Sequence, residues 1–133
     1  MRVVIDRKMW NRGGNQLATA LYNDMAPTHN RCCLGFFARA AGITDDILVG
    51  YGDPEEAYRN NITPLGHYEN IELANTFEKA GLLVFEDGVE SNSPFTDLAI
   101  TINDGELYAN ETDRETDLIE LFEENGHELY FIN

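Results

Sequence analysis

Two adjacent cysteines are the residues of this sequence most suited to nucleophilic chemistry. Cys32 and Cys33 begin the apolar run 31–42, which we interpret as a buried central helix. The positive end of a helix dipole favours a thiolate, so a reactive cysteine is conceivable there. Buried cysteines more often serve as small apolar residues of a core, and we prefer that interpretation. Adjacent cysteines form a disulfide with each other only under strain, which favours reduced thiols and a cytosolic protein.

The sequence does not indicate a metal site. The three histidines, His29, His67 and His127, and the two cysteines lack Cys-x-x-Cys or His-x-x-x-His spacing. Neighbouring helical residues point about 100° apart, so adjacent cysteines are poorly placed to share one ion. We therefore expect no metal and no cofactor.

A basic loop after the first predicted strand carries residue types that bind anions. It contains Arg7, Trp10, Arg12, Gly13 and Gly14. Two arginines and two glycine amides could hold a small phosphorylated ligand, although no recognised phosphate-binding motif is present. In the alternative interpretation, which we favour, the tryptophan packs into the core and the arginines pair with acidic residues of the second half.

Acidic residues dominate the composition and are unevenly distributed. The chain has a net charge of −15. Residues 1–60 contain seven basic and seven acidic residues, whereas residues 61–133 contain two basic and 17 acidic ones. Such a surface repels nucleic acid and membranes and attracts basic proteins, although it also suits solubility or a salt-adapted host. The residues of the predicted acidic face are Glu106, Glu111, Glu115, Asp117, Glu120, Glu123 and Glu124.

The first half predicts a strand and the central helix. Residues Arg2–Asp6 are rich in β-branched side chains and predict a short strand. Asn30 is the predicted N-cap of the helix and Gly42 its closing residue. Gly35, in the first turn, predicts a close backbone contact. The segment 17–25 reads as a helix, or as a strand and a loop. The helical period predicts a buried face of Cys33, Phe36, Phe37, Ala40 and Ala41.

The second half contains a faint repeat of a helix, a glycine and a short strand. Gly81 and Gly126 are the two glycines, and apolar strands are predicted at 82–85 and 128–132. We expect the last helix at 113–125, opened by a capping box of Thr112 and Glu115 and buried through Leu118, Leu121 and Phe122.

Two other segments carry turn and capping signals. Asp53 and Pro54 predict a helix that runs to about Asn60. For residues 93–105 two interpretations remain open. Ser93-Pro94 favours the beginning of a helix, whereas Asp104-Gly105 favours a hairpin.

Several of these segments together resemble a widespread group of small phage and prophage proteins. They are Trp10-x-Arg12-Gly13, Arg31-Cys32-Cys33-Leu34-Gly35-Phe36, Leu98-x-x-x-Ile102-Asn103-Asp104 and Arg114-Glu115-x-x-Leu118-x-x-Leu121-Phe122-x-x-x-Gly126-x-x-Leu129-x-Phe131. Residues 43–92 depart from the pattern. The resemblance implies a viral or prophage origin and a role in the cytoplasm of the infected cell. It supplies no catalytic residues and favours a helix end around Asn103.

A weaker resemblance concerns catalysis. Cys33-x-Gly35-Phe36 at a helix start is similar to the nucleophile region of the NlpC/P60 cysteine peptidases. The resemblance implies a histidine base from a later strand, for which His127 is the candidate. Two features depart from that family. Leu34 stands where a serine is usual, and His127 lies too near the end of the sequence for a third polar residue to follow.

We predict a single α+β domain over residues 1–133. A small sheet that includes the N- and C-terminal strands packs against the cysteine helix and the last helix. The leading function is a non-enzymatic, phage-encoded protein that binds and inhibits a host defence component, by nucleic-acid mimicry or by ligand sequestration. The expected partner is a host protein with a basic surface, and we expect no direct binding to nucleic acid or membrane. The alternative is a cysteine hydrolase that uses Cys33 and His127.

Overall fold

The computed structural model describes residues 1–13, 16–19, 29–62, 71–105, 108 and 110–133. Most of the segment 17–25 lies outside these ranges, as do Gly14, His67 and Glu106. The elements in chain order are β1 (Arg2–Asp6), α1 (Cys33–Ala40), α2 (Asp45–Leu48), α3 (Pro54–Asn61), α4 (Ile71–Lys79), β2 (Leu83–Glu86), β3 (Val89–Asn92), α5 (Pro94–Asp104), α6 (Glu111–Glu124) and β4 (Glu128–Ile132).

The N- and C-terminal strands form a two-stranded parallel sheet. β1 and β4 are in register from Arg2 beside Glu128 to Asp6 beside Ile132. The buried side chains of β1 point towards α1, and those of β4 pack against α6. The predicted α+β class, the pairing of the terminal strands and their packing on these two helices are confirmed.

Helix α1 lies in the middle of the core. Cys33 and Phe37 are fully buried. A Cβ atom at Gly35 would lie 1.9 Å from the backbone oxygen of Leu17, so only glycine allows this approach. The helix is followed by Gly42 in the left-handed conformation, with φ of 93°. The predicted close contact and the predicted closing glycine are both confirmed.

Two details of the α1 prediction are wrong. The N-cap residue is Cys32 rather than Asn30, because a side chain from α5 satisfies the first helical amide instead. The buried face is rotated, since β1, α5 and the Leu17 backbone close around the N-terminal half of the helix. Phe36 is only half-buried and Ala40 is exposed, while the buried positions are Cys33, Leu34, Gly35, Phe37 and Ala38.

Residues 94–104 are helical. Ser93 is the N-cap of α5 and its hydroxyl accepts from the Thr96 amide at 3.1 Å, so the hairpin interpretation at Asp104-Gly105 is wrong. In the part of the chain that the structure describes, an antiparallel hairpin joins β2 and β3 instead. Its turn is Asp87-Gly88, where both residues have positive φ, of 51° and 78°. An Asp-Gly pair between apolar runs is a hairpin signal, but it was not identified at Asp87-Gly88 from the sequence.

The repeat of helix, glycine and strand is present in both places. Gly81 and Gly126 follow α4 and α6 with φ of 77° and 82°. The strands that follow these glycines pair differently. β2 pairs with β3 in an antiparallel hairpin, whereas β4 pairs with β1 in parallel. The repeat is therefore local and does not extend to the sheets. The helix opened by Asp53 runs to Asn61, close to its predicted end.

Candidate functional site

The candidate site is built on α6. Asn110 caps the helix by accepting from the Asp113 amide at 3.0 Å, so the predicted capping box of Thr112 and Glu115 is wrong. The helix therefore begins at Glu111, two residues before its predicted start. Leu118, Leu121 and Phe122 form its buried side, as predicted.

Two acidic residues of the predicted face are already bound within the fold. Glu115 accepts two hydrogen bonds from Arg7, of 2.9 Å to Nε and 2.7 Å to an Nη atom. Glu111 lies 3.1 Å from Nε of buried Arg114 and 3.7 Å from Arg12. Both carboxylates are therefore neutralised by arginines. They tie the last helix to the N-terminal loop rather than facing a partner.

Four of the other acids of α6 form a row along its exposed side. Their spacing of i, i+4, i+7 and i+11 keeps them within a narrow arc of the helix, and we call this row the acidic stripe: Asp113, Asp117, Glu120 and Glu124. Asp117 accepts from the Tyr108 hydroxyl at 2.7 Å. The other three carboxylates have no hydrogen bond or ion pair with a described residue. Glu123 is also exposed and lies beside the stripe.

The basic N-terminal loop is bound to the rest of the fold. Trp10 is buried and its ring lies 5.1 Å from that of Phe131. The Arg12 guanidinium lies 4.8 Å from the Trp10 ring centre, and the Gly13 amide donates to the Asn103 carbonyl at 2.9 Å. The arginines pair with acids of α6, which is the arrangement that we favoured. The prediction of an anion-binding loop stays a prediction, but its described donors already have partners.

Sequence reasoning missed a buried polar group, which we call the junction: Trp10, Cys33, Asn103 and Arg114. The Asn103 Oδ1 atom accepts from the Trp10 indole at 2.8 Å and from the Cys33 amide at 2.9 Å. Its amide nitrogen donates to the Asn11 carbonyl at 3.1 Å. One side chain at the end of α5 thus caps α1 and fixes the N-terminal loop.

Arg114 completes the junction from α6. Its guanidinium donates to the carbonyls of Ile102, Asn103 and Gly105, which lie at the C-terminal end of α5. This places a cation at the negative end of a helix dipole. A signal existed in the sequence, because Arg114 lies at i, i+4 and i+7 with Leu118 and Leu121 on the buried side.

The structure does not bring the two residues of the hydrolase alternative together. Cys33 lies at the beginning of α1, and its Sγ atom lies 3.7 Å from the Ala99 carbonyl. The His127 ring packs 4.9 Å from that of Phe37 and borders a cavity beside Ala41, beyond the other end of α1. Among the described residues no hydrogen bond joins this histidine to Cys33 or Cys32.

The thiols are also held in their neutral form. Burial raises the pKa of Cys32 to about 11, a larger effect than the lowering by the amides of Gly35 and Leu34. Burial raises the pKa of Cys33 well above its usual value. Burial and the terminal amine lower the pKa of His127. A neutral thiol is a weak nucleophile, so these surroundings do not activate either cysteine.

Two cavities, of about 410 Å³ and 380 Å³, open beside α4 near the C-terminal end of α1. In the described ranges no group of three or more His, Cys, Asp or Glu side chains is arranged to hold a metal ion. The described helices include none with the length and apolar character needed to cross a membrane.

Comparisons with protein-family models, with curated proteins and with solved structures found no match. The resemblances to phage proteins and to NlpC/P60 peptidases therefore stay predictions.

Proposed function

We propose that this is a non-enzymatic binding protein that docks its acidic stripe on the basic surface of a partner protein. The observation that supports the proposal is the division of charge on α6. Glu111 and Glu115 are bound to arginines of the same chain, whereas Asp113, Glu120 and Glu124 face solvent without a described partner.

The spacing of the stripe supports recognition rather than general solubility alone. Successive carboxylates rise by about 4.5–6 Å along the helix axis, so the stripe extends over about 16 Å. A rigid helix thus presents an ordered row of negative charge. Duplex DNA presents negative charge more densely, at about one per 1.7 Å of its axis, but basic sites built for it would still attract such a row. Nucleic-acid mimicry is therefore the form of the proposal that we prefer.

Ligand sequestration at the basic loop receives less support. Arg7 donates two hydrogen bonds to Glu115, and the Gly13 amide donates to the Asn103 carbonyl. An incoming anion would have to displace both contacts. The cysteine hydrolase receives less support still, because its two residues lack a described contact and its thiol is buried.

The resemblance to phage and prophage proteins supplies the biological setting of the proposal. It supports a partner in the cytoplasm of an infected cell, and we propose inhibition as the outcome of binding. The proposed target is a host defence protein that normally holds nucleic acid in a basic site.

Charge reversal on the stripe tests the proposal. The variant Glu120→Lys with Glu124→Lys is immobilised, and the host proteins that it captures from a lysate are compared with those captured by the wild type. The matched control is Glu78→Lys with Glu86→Lys, which changes the net charge equally at exposed positions away from α6. We expect the stripe variant to lose capture and the control to keep it. Both should melt normally, because exposed substitutions change stability by under about 0.5 kcal/mol.

Two further results decide between forms of the proposal. Capture should weaken as salt is raised, since the Debye length falls from about 8 Å at physiological salt to about 3 Å at 1 M. Duplex DNA should displace the captured protein if the stripe mimics nucleic acid. Unchanged capture by the stripe variant would mean that the acids only solvate the protein, and would direct attention to Arg7 and Arg12.

A further inference from the structure

β1 pairs with β4 along one edge, and its other edge faces away from β4. The Arg7 amide donates to the Ile132 carbonyl and the Glu128 amide donates to the Met1 carbonyl, each at 2.9 Å. Odd-numbered residues of β1 therefore direct their backbone groups to β4, and the even-numbered residues Arg2 and Val4 direct theirs to the opposite edge. At the end of that edge the Asp6 carbonyl already accepts from the Met9 amide at 3.0 Å. Within the described ranges no strand pairs with that edge.

The same even-numbered residues lie on the exposed face of the sheet. Val4 is 39% exposed, and beside it on β4 Tyr130 is 45% and Ile132 46% exposed. Parallel sheets are normally covered on both faces, and open edges are normally blocked or paired. The Arg2 guanidinium lies 4.8 Å from the Tyr130 ring centre and covers part of this strip. The apolar surface that stays exposed adjoins the open edge, and such surfaces commonly bind another chain.

We propose that this edge pairs with the same edge of a second copy of the chain. β1 reads Arg-Val-Val-Ile-Asp, so an antiparallel pair centred on Val4 places Arg2 of each chain opposite Asp6 of the other. Opposite charges at directly opposed positions stabilise antiparallel strands. The two Val4 residues exchange N–H···O bonds, because their backbone groups point outward. A two-fold axis through Val4 generates the dimer, which is the commonest symmetry of soluble oligomers.

The dimer contains one four-stranded sheet in the order β4, β1, β1, β4. The exposed Val4 and Tyr130 side chains of both copies become one continuous apolar strip across its centre. The strand itself is neutral, with one arginine and one aspartate. The acidic stripe lies on α6, which packs against the other face of β4. Self-pairing therefore brings complementary charges together and leaves both stripes exposed.

Charge exchange within β1 tests the proposal. Arg2→Glu and Asp6→Lys each place like charges opposite one another in a homodimer. Mixing the two variants restores opposite charges at both positions. Molecular mass is followed by sedimentation over a concentration series, with untagged protein. We expect the wild type to be a dimer. For each variant alone the dissociation constant of the dimer should be at least about tenfold larger, and the mixture should recover the dimer.

The mixture separates pairing from misfolding. Asp6 Oδ1 also accepts from the Lys8 amide at 3.0 Å, so the Asp6→Lys variant loses a contact within its own turn. Two misfolded chains would not restore each other. The controls Lys79→Glu and Glu78→Lys make the same changes of charge away from the sheet and should dimerise like the wild type. A wild type that stays monomeric at millimolar concentration overturns the proposal, as does a mixture that fails to recover.

Discussion

The two sides of α6 use charge in different ways. On the inward side, Arg114 binds the carbonyls at the end of α5, and Glu115 binds Arg7. On the outward side, Glu120 and Glu124 have no described partner. The net charge of −15 therefore overstates the acid available to another molecule, because part of it holds the fold together. Helical periodicity assigns a residue to one side of α6, but only the three-dimensional partners show whether its charge is still available.

Loss of Arg114 should produce the largest effect on stability. Arg114→Met keeps most of the side-chain volume and removes the donors to Ile102, Asn103 and Gly105. We expect a loss of about 3 kcal/mol in the free energy of unfolding, because buried carbonyls are left with fewer donors or none. Denaturant titration at neutral pH measures it.

A matched change on the surface shows whether that loss comes from burial. Arg59 also binds two carboxylates, those of Glu55 and Glu90, but its side chain is largely exposed. Arg59→Met should therefore change stability little, as is usual for exposed ion pairs. Equal losses in the two variants would contradict the distinction between bound and exposed charge.

Asn103→Ala should have the next largest effect. It removes the acceptor shared by the Trp10 indole and the Cys33 amide, and we expect a loss of about 2 kcal/mol. Trp10 is the single tryptophan of the chain, so its fluorescence reports on the junction directly. The emission maximum should shift in this variant. In the control Asn60→Ala, at an exposed helical position, it should stay unchanged, and an unchanged spectrum in both would contradict the assigned contact.

Local signals in the sequence predicted much of the fold. The strand at Arg2–Asp6 was predicted with its observed bounds because β-branched residues and a polar end define it locally. The glycines that follow α1, α4 and α6 were recognised because a left-handed residue is needed there. The last helix and the strand after it were placed within two residues. These features depend on neighbours in the chain.

Long-range contacts account for what the sequence could not reveal. The cap of α1 comes from Asn103, 70 residues away, so no local pattern identifies it. The rotated face of α1 depends on where the backbone of Leu17 lies. Acidic positions on α6 were predicted as one face. The pairing of Glu115 with Arg7 across 108 residues separates them into bound and exposed groups.

The cysteines provide the smallest expected effect and the clearest contrast with the stripe. Cys32 lies at the beginning of α1, where the helix amides favour a thiolate, as the sequence predicted. Burial opposes that effect and is larger, so the thiol has a pKa of about 11 instead of 9.0. Cys32→Ala should cost about 1 kcal/mol at pH 7, where the thiol is neutral in the folded and unfolded states.

The pH dependence distinguishes a buried neutral thiol from a reactive one. Because the folded pKa is raised, the stabilising contribution of Cys32 is complete below about pH 9 and is lost as the pH rises towards 11. Between pH 9 and 11 the Cys32 thiol ionises in the unfolded chain before it ionises in the folded protein. The wild type should therefore lose its greater stability relative to the Cys32→Ala variant between pH 9 and 11. The other titrating groups are common to both proteins, so their contributions cancel in the difference. A constant difference over that interval, together with rapid thiol labelling of the native protein at pH 7, would show that the Cys32 thiol is open to solvent, as the carboxylates of the stripe are.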